Sequence, residues 1–236
     1  YNKISKMKRT YIFLLMIMIL CCSDHISQNY FTLTLNINGE LEQNIYLSKR
    51  DAGKWVNIDS SSVITGEIVF NGKIEEPEMF YLRSGSDLTN IFMEAGKIAF
   101  TAHADSINKG ITNGSETQEE LDSFNKSISS ITKQLDTLYN QYRIAVRNDD
   151  QVRLEKLNEL IEIKDSKRLA RTIDYAYANN KSIVSAYLIM KNNYYLELAE
   201  LDSITSNFDY SISKTKYVKA LQDRVTSLNR VAIGDS

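Results

Sequence analysis

Few side chains in this chain of 236 residues can do chemistry, and their spacing matches none of the familiar catalytic constellations. There are two cysteines, Cys21 and Cys22, and two histidines, His25 and His103. A metal site needs several convergent ligands, and no Cys/His pairing stands at ligand spacing, so neither a metal nor another cofactor is expected. His103 ends a strand-like run beside Asp105, and His25 sits in a polar stretch. Gly66 to Gly72-Lys73 has the outline of a phosphate-cradling loop. The spacing carries one residue too many, and Ile74 stands where a hydroxyl would ligate magnesium. Asp59-Ser60 sets an acid beside a hydroxyl, which reads as an Asx-type turn satisfying its own backbone. Glu75-Glu76 and Glu119-Glu120 are neighbours in sequence that point apart, at surface-type positions. With no Gly-x-Ser-x-Gly elbow either, no catalytic residue is assigned, and the chain is expected not to be an enzyme by itself.

The other concentrated chemistry is aromatic. Tyr175, Tyr177, Tyr187, Tyr194 and Tyr195 gather in the C-terminal half. Tyrosine lines binding grooves because it offers both a ring and a hydroxyl, although at helical spacing it more often forms core with a wet edge. This cluster is the candidate surface for a protein or glycan partner. Nucleic acid is not an expected partner, because a net charge of −2 supplies no basic field.

Both cysteines belong to the stretch Met7 to Asp24. Lys8 and Arg9 precede an apolar run from Tyr11 to Leu20. A membrane-spanning helix needs roughly 18 or more apolar residues, so this run has the size of a secretory signal core instead. A cysteine in place of the usual small-residue cleavage site resembles the lipobox of bacterial lipoproteins. That resemblance implies cleavage before the cysteine, acylation of its thiol and a chain anchored in the cell envelope, facing the periplasm or the cell surface. Cys22 is the expected lipidated residue because the small Cys21 precedes it. Cys21, preceded by the bulky Leu20, is the alternative. Met7 is the expected start. A lipidated Cys22 would leave the mature segment with no free thiol, and hence with no dithiol redox chemistry of its own.

The remaining residues must supply elements that position any site. Phe31, Leu33, Leu35 and Ile37 alternate with polar residues, the period of a strand with one buried face. Asn38-Gly39 is a turn signal, and Asn71-Gly72 is a second one. Further strand-like runs are Asn44–Leu47, Lys54–Ile58, Glu67–Phe70, Met79–Leu82, Asn90–Met93 and Lys97–Thr101. Glu94-Ala95-Gly96 suggests a hairpin between the last two. Short strands at close intervals predict an antiparallel β-sandwich or small barrel. After Asn113-Gly114-Ser115 the period changes. Ser115 with Gln118 resembles a capping box. Leu121, Phe124, Ile128, Ile131, Leu135, Leu138, Tyr142 and Ala145 then form a heptad seam. Asn148-Asp149-Asp150 breaks it, and Leu154, Leu157, Ile161, Leu169, Ile173 and Tyr177 continue on a second helix. Long helices joined by a short polar loop pack antiparallel. Ser182 opens a third helix, Leu198 to Phe208 a fourth, and Ser213 the last, with Tyr217, Val218, Leu221, Val225 and Leu228 on one face. The fold class is therefore α+β: an antiparallel β-sandwich or small barrel, then a helical region with a long antiparallel helical hairpin.

In their order, several of these segments resemble a known arrangement. They are Asn38-Gly39, Ile45-Tyr46-Leu47, Ile58-Asp59-Ser60, Gly66 to Gly72, Phe80-Tyr81-Leu82, Ile91 to Gly96 and Asn113-Gly114-Ser115. Many Bacteroidetes lipoproteins carry an N-terminal domain of unknown function, a helical segment and then a thioredoxin-like domain of the peroxiredoxin type. The resemblance covers residues 30–236. It implies a signal peptide over 1–22, a tether over 23–29, a β domain over 30–108 and a helical domain over 109–230. Val231 to Ser236 then resembles the lead-in to a thioredoxin-like domain. It further implies an accessory region of a membrane-anchored thiol–disulfide oxidoreductase, whose Cys-x-x-Cys would lie beyond Ser236. A stand-alone envelope lipoprotein that binds a partner is the alternative.

Overall fold

The computed structural model describes residues 29–51, 53–62 and 66–234. The signal-like stretch with Cys21, Cys22 and His25 lies outside them. The chain forms two compact units, one through Gly114 and one from Ser115.

In the first unit the described residues form eight strands: β1 (Tyr30–Asn38), β2 (Ile45–Asp51), β3 (Lys54–Ser61), β4 (Gly66–Lys73), β5 (Glu78–Ser84), β6 (Asp87–Met93), β7 (Gly96–His103) and β8 (Ile111–Asn113). They build one sheet of order β4-β1-β7-β8 and another of order β3-β2-β5-β6. Phe31, Leu33, Leu35 and Ile37 of β1 are buried, as the alternation predicts. They share one core with Ile45, Leu47, Phe80, Leu82, Ile91, Ile98 and Phe100. Phe31 of the first sheet meets Phe80 of the second edge to face at 5.9 Å. This is an unclosed, sandwich-like pair of sheets. Its pairings are antiparallel except for β1 with β7, which run parallel.

Two turn expectations fail for packing reasons. Asn71-Gly72 is not a turn but part of β4, where Gly72 pairs with Phe31. A Cβ on Gly72 would come within 2.6 Å of the Phe31 ring, so the glycine makes room for an aromatic neighbour. Glu94-Ala95-Gly96 does not close a hairpin. Met93 ends β6 in one sheet and Gly96 begins β7 in the other, with φ +132° at Gly96. The segment is a crossover that lets consecutive strands cover both faces of the core. Strand β8 carries the sheet unit past residue 108, to the boundary at Gly114.

In the second unit the described residues form five α-helices: α1 (Glu116–Arg147), α2 (Gln151–Ala178), α3 (Ile183–Asn192), α4 (Leu198–Asn207) and α5 (Lys216–Gly234). Their starts follow from local side-chain chemistry. Ser115 accepts the Gln118 N–H at 3.1 Å, Asp150 the Arg153 N–H at 3.1 Å and Ser182 the Ser185 N–H at 3.2 Å. Asp149 takes φ 52° in the loop between α1 and α2, which form the expected antiparallel hairpin. The seam residues of α1 are all buried or half-buried, with Leu121, Phe124, Leu135 and Ala145 deepest. On α2 the seam bends away from expectation: Thr172 and Ala176 are buried, while Tyr177 is 43% exposed. The last helix begins at Lys216 rather than Ser213, because a 3-10 turn over Tyr210–Ile212, capped by Asp209, precedes it. Among the described residues no helix is long and apolar enough to cross a membrane.

Candidate functional site

The five tyrosines do not form one surface. Tyr187 is buried and packs edge to face on Tyr217 at 5.4 Å, joining α3 to α5. Tyr175 is half-buried against Phe124 at 4.8 Å, and its hydroxyl donates to Glu120 Oε1 at 2.7 Å. The Tyr177 hydroxyl lies 3.0 Å from Ser203 Oγ, bridging α2 to α4. Only Tyr194 and Tyr195, on a 3-10 turn after α3, stand largely free, at 78% and 75% exposure. The Arg224 guanidinium covers the Tyr194 ring at 4.8 Å.

Glu120 departs from the surface position expected of it. Its Oε1 accepts both the Tyr175 hydroxyl and the Ser182 hydroxyl, so one carboxylate ties α1, α2 and the cap of α3 together. Burial and this hydrogen bond raise the Tyr175 pKa well above that of an ordinary phenol, since ionisation would place two negative charges side by side. The arrangement is a clasp: one carboxylate oxygen takes the hydrogen bonds of two hydroxyls carried by different helical segments.

Tyr195 borders a cleft of about 420 Å³, lined also by Tyr139, Asp165, Arg168 and Asn192. Tyr139 donates to Asp165 at 2.7 Å, and Arg168 lies 2.8 Å from the same carboxylate. The hydrogen bond to Asp165 raises the Tyr139 pKa. Partial burial, and then the charge on Arg168, lower the Lys191 pKa. The Asp165 carboxylate is shared between phenol and guanidinium, and Glu162 is a second acid in the lining. The rings of Tyr139 and Tyr195 and the amide of Asn192 share this lining with its charged groups.

The remaining sequence candidates have structural roles. His103 Nδ1 accepts the Asp105 N–H at 3.3 Å and caps the turn over Ala104–Lys109. Asp59 accepts the N–H of the next residue, Ser60, at 2.7 Å, and both lie inside β3, so the pair is strand and not the expected Asx-type turn. Gly66 to Lys73 is strand, not phosphate loop. Among the described residues no group of His, Cys, Asp or Glu is arranged to hold a metal ion.

One constellation escaped the sequence. Trp55, the only tryptophan of the chain, sits on β3 opposite Arg50 of β2. The Arg50 guanidinium lies 4.3 Å from its ring centre and that of Arg83, from β5, 4.8 Å. Tyr81 meets the same ring edge to face at 5.0 Å. Ile45, Leu47, Phe80 and Leu82 point into the core, so Arg50, Tyr81 and Arg83 lie on the opposite face of the sheet. Beneath them Ser48 is fully buried and donates to Asn57 Oδ1 at 2.9 Å. Burial raises the Tyr81 pKa, and the Arg50 charge opposes that rise. A lone tryptophan in a strand-like run, five positions after an arginine, was the only signal in the sequence. Arg83 joins through strand pairing alone.

No curated protein and no solved structure matches the chain. Residues 31–121, which span nearly all of the sheet unit and the start of α1, match a family described as a domain of unknown function, DUF4369.

Proposed function

We propose that this chain is the non-catalytic platform region of a membrane-anchored thioredoxin-like thiol–disulfide oxidoreductase in the bacterial cell envelope. The observation that carries the reading is the order of its segments: a lipobox-like Cys22, a domain of unknown function over residues 31–121, a helical segment, and a tail resembling the lead-in to a redox domain. In this reading the lipid on Cys22 holds the chain at the membrane. The sheet and helical units position the redox domain or select its protein clients. No residue of this chain carries a thiol-exchange step.

The direct test is the coding sequence beyond the codon for Ser236. An open frame leading to a thioredoxin-like domain with Cys-x-x-Cys supports the platform reading, and a stop codon removes it. The anchor is tested separately by metabolic labelling with a fatty-acid analogue. Cys22→Ala should abolish incorporation and Cys21→Ala should preserve it; the reverse result moves the anchor to Cys21. A second reading, a stand-alone envelope lipoprotein binding a protein or glycan, is favoured by the exposed pair Tyr194 and Tyr195.

A further inference from the structure

We propose that the outer edge of β3, together with Arg50 and Arg83 around Trp55, is a docking site for an extended polypeptide segment whose side chains alternate acidic and apolar. The proposal is independent of the platform reading.

Among the described residues strand β3 ends its sheet and pairs only with β2. Seven of its eight residues are exposed and the eighth is intermediate. An edge of this length presents unpaired backbone donors and acceptors, which proteins usually blunt with bulges or charges. Here, apart from the charge of Lys54, the blunting is confined to one half. A register shift opposite Leu47/Ser48 and the Asp59 carboxylate on the Ser60 N–H disturb the C-terminal half. Lys54 to Asn57 stays in regular register with β2, and among the described residues nothing pairs with its outer side.

The side chains on this open half specify the occupant. Trp55 is 37% exposed on the face that holds Arg50 and Arg83, and Val56, 37% exposed, points to the other face. Among the described residues no carboxylate lies within salt-bridge distance of either arginine. Arg50 uses Nη1 on the Gly53 carbonyl at 2.8 Å. A guanidinium carries five donors, so most of that charge-assisted capacity remains. A strand added beside β3 sets one side chain roughly 5 Å from Trp55. A carboxylate there reaches the two guanidiniums over the indole. The next side chain, on the opposite face by the strand's period, falls beside Val56 and is matched by an apolar group. Recognition is then by strand addition, with backbone hydrogen bonds for affinity and alternate side chains for selection. A second copy of the chain is a poor occupant, because two β3 edges would bring four like-charged guanidiniums together.

The test measures fluorescence anisotropy of labelled, N-acetylated (Glu-Val)4 peptide with the full chain in mild detergent. Saturable binding is expected, weakened by salt. It should drop roughly tenfold or more in the R50Q/R83Q double variant with unchanged circular dichroism. N-methylation of alternate peptide nitrogens should abolish it, and (Lys-Val)4 should not bind. Absence of saturable binding, equal binding of the N-methylated or lysine peptide, or an unchanged double variant each overturns the proposal. If the double variant misfolds, the peptide comparisons on the native chain still decide. Vesicles of anionic phospholipid are the last arm. Binding to them that displaces the peptide and depends on the same arginines would reassign the surface to a membrane.

Discussion

The sheet unit and the helical unit use their aromatic residues in opposite ways. In the helical unit three phenol hydroxyls hold a partner on another element: Tyr139 with Asp165, Tyr175 with Glu120, Tyr177 with Ser203. Tyr187 gives its ring to Tyr217. These residues fasten helices to one another. In the sheet unit Trp55 collects two guanidiniums that, among the described residues, have no counter-charge, beside an edge strand whose outer side no described strand pairs. A satisfied polar aromatic does structural work. An aromatic surrounded by unneutralised cations on an open edge is available to a ligand. Aromatic count alone would have favoured the helices.

The contrast breaks first in the sheet core. Phe80 is 3% exposed and lies under the Trp55 face, packed on Phe31. Phe80→Ala should cost about 3–5 kcal/mol in denaturant unfolding; a loss below about 1 kcal/mol would mean that the sheet core is not packed as described. Next comes the clasp in the helical unit. Glu120→Ala leaves the Tyr175 and Ser182 hydroxyls without their shared acceptor and should cost about 1–3 kcal/mol in the same assay. The Tyr175 hydroxyl gives this clasp a pH signature. Its folded pKa lies above the ordinary phenol value, so its contribution is fully present below about pH 10 and diminishes as pH rises beyond it. Tyrosinate absorbance in Glu120→Gln should show one phenol titrating lower than in the parent chain. An unchanged titration would separate Tyr175 from Glu120.

Smaller effects sharpen the boundary between the units. Ser115→Ala removes the cap of α1 and should cost about 1 kcal/mol. Tyr194→Ala, at an exposed ring, should stay within about 0.5 kcal/mol of the parent. A large loss there would place Tyr194 among the fastening residues.

Much of this architecture is legible in the residues because local chemistry decides it. The alternation of Phe31 to Ile37, the caps Ser115 and Ser182, the break at Asn148 to Asp150 and the α1 seam all depend on neighbours a few positions away. What is not legible depends on distant partners. Gly72 is strand because the Phe31 ring needs the space of a missing side chain. Residues 94–96 switch sheets because β7 pairs with β1, far away in sequence. Glu120 is held by Tyr175 and Ser182 through helix packing, which its acidic neighbour Glu119 does not reveal. Arg83 reaches Trp55 only because β5 lies beside β2. The candidate docking edge was therefore invisible, whereas the tyrosine cluster was visible and divided on folding.

Hydrogen–deuterium exchange of the full chain, with and without saturating (Glu-Val)4 peptide, tests most directly which region recognises a partner. The expected result is slowed exchange at Lys54 to Asn57 with no change around Asn192 to Tyr195. Slowing confined to the turn carrying Tyr194 and Tyr195, with β3 unaffected, would contradict the assignment and return the binding surface to the helices.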